Sequence, residues 1–274
     1  MSLFQSVLYG LISGFSELLP VSSQAHQAMM LRLFGLEARE PLRDLLVHIS
    51  ILLAVFSGCK AMLSRIGRDK LMLSRGRRGR RILPDSAYEM RLIRSAAVPM
   101  LLVLLIYIAA RDMEGSMSKI SLMLAINGLV LIIPEYSRQA NKNARLMTGF
   151  DGIFIGILGG LSAFPGISRV GIINSYGLLR GADRQHLSNW ALLLSIPALA
   201  LLSIIDLVFI FVSGIGPIRF LIICGYILSA AAAYLGAYLS IVFIRFLTVR
   251  TGYTAFAFYS WGAALFALFL YLIV

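Results

Sequence analysis

Between residues 13 and 27 the chain reads SGFSELLPVSSQAHQ, which sets one carboxylate, Glu17, close to two adjacent serines, Ser22 and Ser23, and an imidazole, His26. A hydroxyl can attack an electrophilic centre, and a carboxylate or imidazole beside it can carry the proton. A second stretch, residues 160 to 169, reads GLSAFPGISR and supplies Gly166, Ser168 and Arg169. A guanidinium fork matches the oxygens of a phosphate, and a glycine-containing turn that opens a helix points amides and hydroxyls at an anion. Together the two stretches carry the parts of a phosphate site. Ser22, Gly166, Ser168 and Arg169 are the candidate binding residues, and Glu17, Ser23, His26 and Arg169 the candidate catalytic ones. Whether Ser23 or a water attacks, and whether His26 or Glu17 takes the proton, stays open. The plainer alternatives are an ion pair between Glu17 and Arg169 that merely joins two segments, and serines that cap local turns.

The elements that must position these residues follow from composition. Of 274 residues 59% are hydrophobic and only 14% charged, with a mean hydropathy of +0.84, whereas soluble domains carry about a quarter charged residues. Apolar runs at roughly 44 to 58, 95 to 111, 118 to 134, 190 to 213, 219 to 246 and 253 to 274 are each read as a crossing of a hydrocarbon core of about 30 Å. They leave no room for a soluble domain. Segments 4 to 34 and 150 to 186 are apolar but broken by Gly, Pro and Ser. Irregular backbone at membrane depth must line a protected cavity, so both are expected to be re-entrant helix pairs. Within a membrane segment an ionisable residue such as Glu17 points to function.

GFSELLPVSS at 14 to 23 aligns without a gap to GLSAFPGISR at 160 to 169, and each copy is followed by three crossings. The chain therefore divides into residues 1 to 134, a cytoplasmic linker at 135 to 149, and residues 150 to 274. An odd number of crossings per unit turns the second unit upside down. The expected fold is an all-α integral membrane protein of six transmembrane helices plus two re-entrant helix pairs in an inverted-topology repeat.

The formal net charge is +12, but 11 of the 25 basic residues fall in segment 60 to 94, beside three acidic ones. Between two apolar spans that pattern marks a cytoplasmic loop and fits anionic lipid headgroups better than nucleic acid. Arg138, Lys142 and Arg145 put the linker on the same side, so the first broken segment enters from the outer face. Cys59 and Cys224 have no metal or redox spacing and read as packing residues. No basic leader or cleavage site opens the chain, and no cleaved signal is expected. His48 and Asp206 are polar residues in apolar spans with no partner visible in the sequence, and His186 reads as part of a solvated loop.

SELLPVSSQAH resembles the acidic-proline-serine motif of the undecaprenyl-diphosphate phosphatase family, the bacitracin-resistance type, and PGISRVG resembles its second motif. The resemblance runs across nearly the whole chain. It implies a hydrolase of the bacterial inner membrane that removes the terminal phosphate of undecaprenyl diphosphate, recycling the lipid carrier for wall-polymer synthesis at a pocket opening outward. It also implies a divalent cation, Mg or Ca, with Glu17 as a ligand. The departures fall around the motif. Ser13 stands where the family has its first glutamate, which weakens a hard-cation site; Gln24 and Ala25, Val170, Ile173, Asn189 and Ser260 replace other polar or motif residues. The expected partners are a polyprenyl diphosphate and membrane lipids, with a homodimer left open and nucleic acid not expected. The alternative function is a polyprenyl-phosphate transporter using the same pocket without hydrolysis. A catalytically silent scaffold is the third reading.

Overall fold

A computed structural model describes residues 1–36, 40–74, 85–136, 142–214, 220–250 and 252–273. Residues 75–84, the core of the basic segment, and Arg138 lie outside the described residues. Among the described residues the regular structure is all helix, apart from an isolated backbone bridge between Lys142 and Ala182. In chain order the helices are α1 (Leu3–Glu17), α2 (Ser23–Leu33), α3 (Pro41–Gly58), α4 (Lys60–Ser74), α5 (Asp85–Leu104), α6 (Tyr107–Ala110), α7 (Met117–Ile132), α8 (Gly149–Gly160), α9 (Arg169–Leu179), α10 (Arg184–Ser213), α11 (Phe220–Arg250) and α12 (Thr254–Ile273).

Among the described residues, six helical stretches are long and apolar enough to cross a membrane: Pro41–Gly58, Asp85–Ala110, Met117–Tyr136, Arg184–Ser213, Phe220–Leu247 and Thr254–Ile273. They match the six apolar runs. Large side chains such as Phe211, Phe220 and Leu272 stand exposed on the outside of the bundle, as lipid contact requires of a multi-pass membrane protein. The segment read as a basic loop differs from expectation, because Lys60–Ser74 is helix and α5 begins at Asp85, ten residues before its apolar run. Charge marks which side of a membrane a segment prefers and does not forbid helix. Here α4 and α5 are tied by Arg65 and Glu89 at 2.7 Å and by Ser86 donating to Asp69 at 2.6 Å.

The two broken segments are helix-turn-helix pairs. Ser2 and Gln5 cap α1 reciprocally, as Thr148 and Asp151 cap α8, so amides left open by each first turn are satisfied. Helix α1 stops after Glu17 because Pro20 lacks an amide hydrogen, and α8 stops short of a turn containing Pro165 and Gly166. Gly166 has φ +116°, and a Cβ there would lie 2.4 Å from that of Met123, so the turn needs glycine.

Each first helix is pressed against a long span through glycine. A Cβ on Gly14 would lie 2.0 Å from the Ala233 carbonyl oxygen of α11, and one on Gly156 would lie 2.1 Å from the Ala96 carbonyl oxygen of α5. Small residues let helices approach closely where lipid offers no hydrophobic drive between them. The contact registers, Ser6 with Gly225 and Gly10 with Ser229, then Gly152 with Ser95 and Gly160 with Val103, show that α1 runs parallel to α11 and α8 parallel to α5.

Candidate functional site

The two turns meet, and their meeting place carries the residues singled out by type. Arg169, first residue of α9, places Nη2 2.6 Å from Glu17 Oε1 at the end of α1, with both side chains buried. Ser23, first residue of α2, donates its hydroxyl to the other oxygen, Glu17 Oε2. One carboxylate is thus held between a guanidinium and a hydroxyl. Arg169 Nε is buried and makes no hydrogen bond, so the fork keeps a donor for a further oxygen.

The remaining predicted residues hold the turns together. Ser22 adopts φ 60°, a conformation rare for a residue with a side chain, and its Oγ accepts from the Gly166 amide at 3.0 Å. Ser168 donates to the Leu19 carbonyl at 3.0 Å and caps α9 by accepting from the Gly171 amide at 3.2 Å. Each turn therefore braces the other. These bonds occupy the Gly166 amide and the Ser168 hydroxyl, which the sequence suggested as phosphate ligands.

His26 is not brought to the carboxylate. Its Nδ1 lies 2.7 Å from the Ser22 carbonyl oxygen and its Nε2 2.7 Å from the Tyr259 hydroxyl, with the two rings stacked. It faces an apolar groove of about 430 Å³ lined by Ile12, Met29, Leu33, Tyr259 and Phe266. Glu17, Ser22, Ser23, Ser168 and Arg169 line instead a polar pocket of about 20 Å³, room for about one water.

Sequence reasoning missed Asn127. This side chain of α7, with no exposure, donates to the Pro20 carbonyl at 3.2 Å and to Ser260 of α12 at 3.0 Å, and accepts from the Ser168 amide at 2.9 Å. A single amide thereby ties both turns to the α7–α12 pair. Its signal was available, since Asn127 interrupts the apolar run MLAINGLVLII. His48 and Asp206, for which no partner was visible, pair with each other at 2.6 Å.

As for a cation, the described residues contain no group of three or more His, Cys, Asp or Glu able to hold a metal. Both Glu17 oxygens are engaged, one of them by a positive charge, and Ser13, four residues earlier, contributes only a buried hydroxyl. Hard divalent cations take several oxygen ligands, and this donor set does not fit one.

The family description Bacitracin resistance protein BacA matches residues 6–266. A protein of Carboxydothermus hydrogenoformans named undecaprenyl-diphosphatase is 30% identical over 266 residues, covering 95% of this chain and 94% of its own. One of Treponema denticola with the same name is 30% identical over 263 residues, covering 94% of each. A third of that name, from Desulforapulum autotrophicum, is 28% identical over 275 residues and covers 97% of each.

Proposed function

The chain belongs to the bacitracin resistance protein BacA family, and from that premise we propose that it hydrolyses undecaprenyl diphosphate, or a close polyprenyl relative, to the monophosphate and inorganic phosphate. The observation that carries the reading is the Ser23–Glu17–Arg169 array where the turns meet. With its small volume the pocket is shut by the ion pair, and Glu17 occupies the place on Arg169 that a phosphate would take. On binding, the terminal phosphate displaces the carboxylate from the guanidinium, and Glu17 stays beside Ser23 as a free base. The Ser23 oxygen then attacks the terminal phosphorus in line, and its proton passes to Glu17. The bond from phosphorus to the bridging oxygen breaks, and the lipid monophosphate leaves. Water next cleaves the Ser23 phosphoester, restoring the hydroxyl and releasing phosphate. Charge neutralisation by Arg169 and positioning supply most of the rate. His26 contributes by holding the Ser22 carbonyl and by lining the apolar groove, where the first isoprene units lie. No step is routed through a metal. The transporter alternative draws no support from the relatives, all named as diphosphatases.

The finer architecture belongs to the same proposal. Arg180 of α9 reaches Asp151 of α8 at 2.6 Å, and Arg184 at the start of α10 reaches Glu135 after α7 at 2.7 Å. Both ends of the α8–α9 pair thus share one end of the bundle. Arg43 at the start of α3 contacts Met1, and α1 runs parallel to α11, which fits a first pair entering from the opposite end. The relation of α1 to α11 mirrors that of α8 to α5, and α3 packs on α10 as α7 packs on α12. These correspondences support two re-entrant pairs in inverted repeats, residues 1 to 134 and 150 to 274, joined by the linker 135 to 149. Arg65, Arg91, Lys142, Arg145, Arg180 and Arg184 gather at the α8–α9 end, so that end is cytoplasmic in the inner membrane and the α1–α2 end faces out.

The test is phosphate release from undecaprenyl or farnesyl diphosphate by the purified protein. Activity abolished in Arg169→Ala and Glu17→Gln supports the reading. A wild type that binds the lipid without releasing phosphate sinks it.

A further inference from the structure

Beneath the polar pocket runs a second set of buried ionisable groups that the hydrolytic scheme leaves unused. Tyr9, Ser13 and Glu17 recur every four residues along α1, so they share one stripe of the helix. On α3, which packs against α1, Asp44 and His48 have the same spacing. Tyr9 donates to Asp44 Oδ1 at 2.8 Å, and His48 Nδ1 lies 2.6 Å from Asp206 Oδ2 of α10. Leu202, one turn before Asp206, lines the polar pocket, so the dyad is adjacent to the site. Arg43 stacks over Tyr9 at 4.3 Å and contacts Glu40, which is half exposed at the start of α3.

The groups facing His48 are Asp206 from α10, Glu17 from α1 and Asp44 from its own helix, and all three act on it electrostatically; Tyr9 joins through Asp44. From α11, Tyr226 joins farther out, beside Arg43 and Glu40. Ser13 Oγ, Asp44 Oδ2 and Asp206 Oδ1 are buried without hydrogen-bond partners. Open acceptors thus recur along the whole row. A buried ion pair is a poor way to add stability, since apolar residues of similar volume often do as well. Ionisable residues inside a membrane protein mark functional paths, proton relays among them.

We propose that His48 and Asp206 form a relay that carries the proton released by hydrolysis from the pocket to the end of the bundle where α1 and α3 begin. The inference rests on the hydrolase reading. A diphosphate monoester trianion and water yield a monophosphate dianion, a hydrogen phosphate dianion and one proton. That proton would otherwise remain in a closed pocket beside Glu17 and Ser23. His48, whose imidazolium the Asp206 carboxylate stabilises at 2.6 Å, passes a proton outward to Asp44, one turn away on the way to Glu40, and takes the released proton from the pocket in its place. His48 acts through the pocket groups and is not itself in contact with the substrate.

The test compares purified wild type, His48→Gln and Asp206→Asn on farnesyl diphosphate, with kcat, KM and the pH–rate profile measured for each. Glutamine keeps a hydrogen bond to Asp206 without a titrating ring. The expected result is a kcat lower by about tenfold in each variant, less than the roughly hundredfold or more of direct general acid–base catalysis because His48 acts through the pocket groups, with KM within about twofold and one limb of the wild-type pH profile lost. A folded His48→Gln protein with wild-type kcat and pH profile overturns the relay alone. Failure of the wild type to release phosphate overturns the hydrolase reading, and the relay with it. Should the variants not fold, the chain's three histidines allow ring-nitrogen NMR of the wild type. A His48 signal that changes protonation on adding vanadate is expected, and one that stays fixed contradicts the proposal.

Discussion

Replacing Asn127 by alanine removes three hydrogen bonds at once and leaves the Pro20 carbonyl and the Ser168 amide without a partner in a fully buried place. Each orphaned buried group costs about 1–3 kcal/mol, although side-chain hydrogen bonds between membrane helices average only about 0.6 kcal/mol. Taking the lower figures for two orphans gives about 2 kcal/mol, spent on the two turns that position Glu17, Ser23 and Arg169. At about 1.4 kcal/mol per tenfold, kcat/KM in Asn127→Ala is expected to fall by about 30-fold if the turns must be held for the chemistry. Ser260→Ala removes a single bond from the same amide and leaves Pro20 and Ser168 satisfied, so its loss should be about threefold or less. The assay is phosphate release from farnesyl diphosphate, run beside thermal unfolding in detergent to confirm that each variant is folded. A folded Asn127→Ala protein with wild-type kcat/KM would refute the claim that this amide holds the site.

Other expectations follow from the same geometry. Ser23→Ala and Glu17→Gln should abolish phosphate release, whereas His26→Gln should keep a measurable rate with a raised KM, because His26 lies on the groove side of α2; equal loss in all three would restore His26 as the base. Gly14→Val should fail to yield stable protein in a thermal-shift assay, since its Cβ would strike the Ala233 carbonyl, and normal stability would contradict the close helix contact. EDTA should leave the wild-type rate within about twofold, while Ser13→Glu, which sets a second carboxylate four residues before Glu17, should gain dependence on Mg²⁺ or Ca²⁺; abolition of wild-type activity by EDTA would count against the misfit of the donor set. At the bundle end, burial pushes the Asp183 carboxyl up, but the His186 amide and ring outweigh it and hold the group below its ordinary range. A depressed folded value contributes stability that is present above the ordinary pKa and lost as pH falls through the depressed one. The melting temperature should therefore drop below about pH 4, and Asp183→Asn should flatten that drop.

Most of the polar site was legible in the sequence because its members are rare in their surroundings. Glu17, Ser22, Ser23, Ser168 and Arg169 interrupt apolar stretches at turn signals, and the structure brings them together. Sequence offered the Glu17–Arg169 pair as an alternative, and it forms, but it could not show what the other groups face. His26 is three residues from Ser23, near enough to suggest a shared pocket, yet helical geometry turns it towards Tyr259, 233 residues away. The partnership of His48 with Asp206 spans 158 residues, so neither identity nor spacing hints at it. Asn127 is hidden for a different reason, because a lone uncharged amide in an apolar span carries no charge or motif to mark it. Within segment 60 to 94, reading the charge as a loop hid α4 (Lys60–Ser74), since sidedness and helix formation depend on different properties of the same residues.

Turnover in ¹⁸O-labelled water, followed by ³¹P NMR, tests the central claim most directly. Attack at the terminal phosphorus of undecaprenyl diphosphate predicts one ¹⁸O in the released inorganic phosphate and none in the lipid monophosphate, with the signal lost in Ser23→Ala. An unchanged diphosphate spectrum with the wild type, or label in the lipid monophosphate, would contradict it.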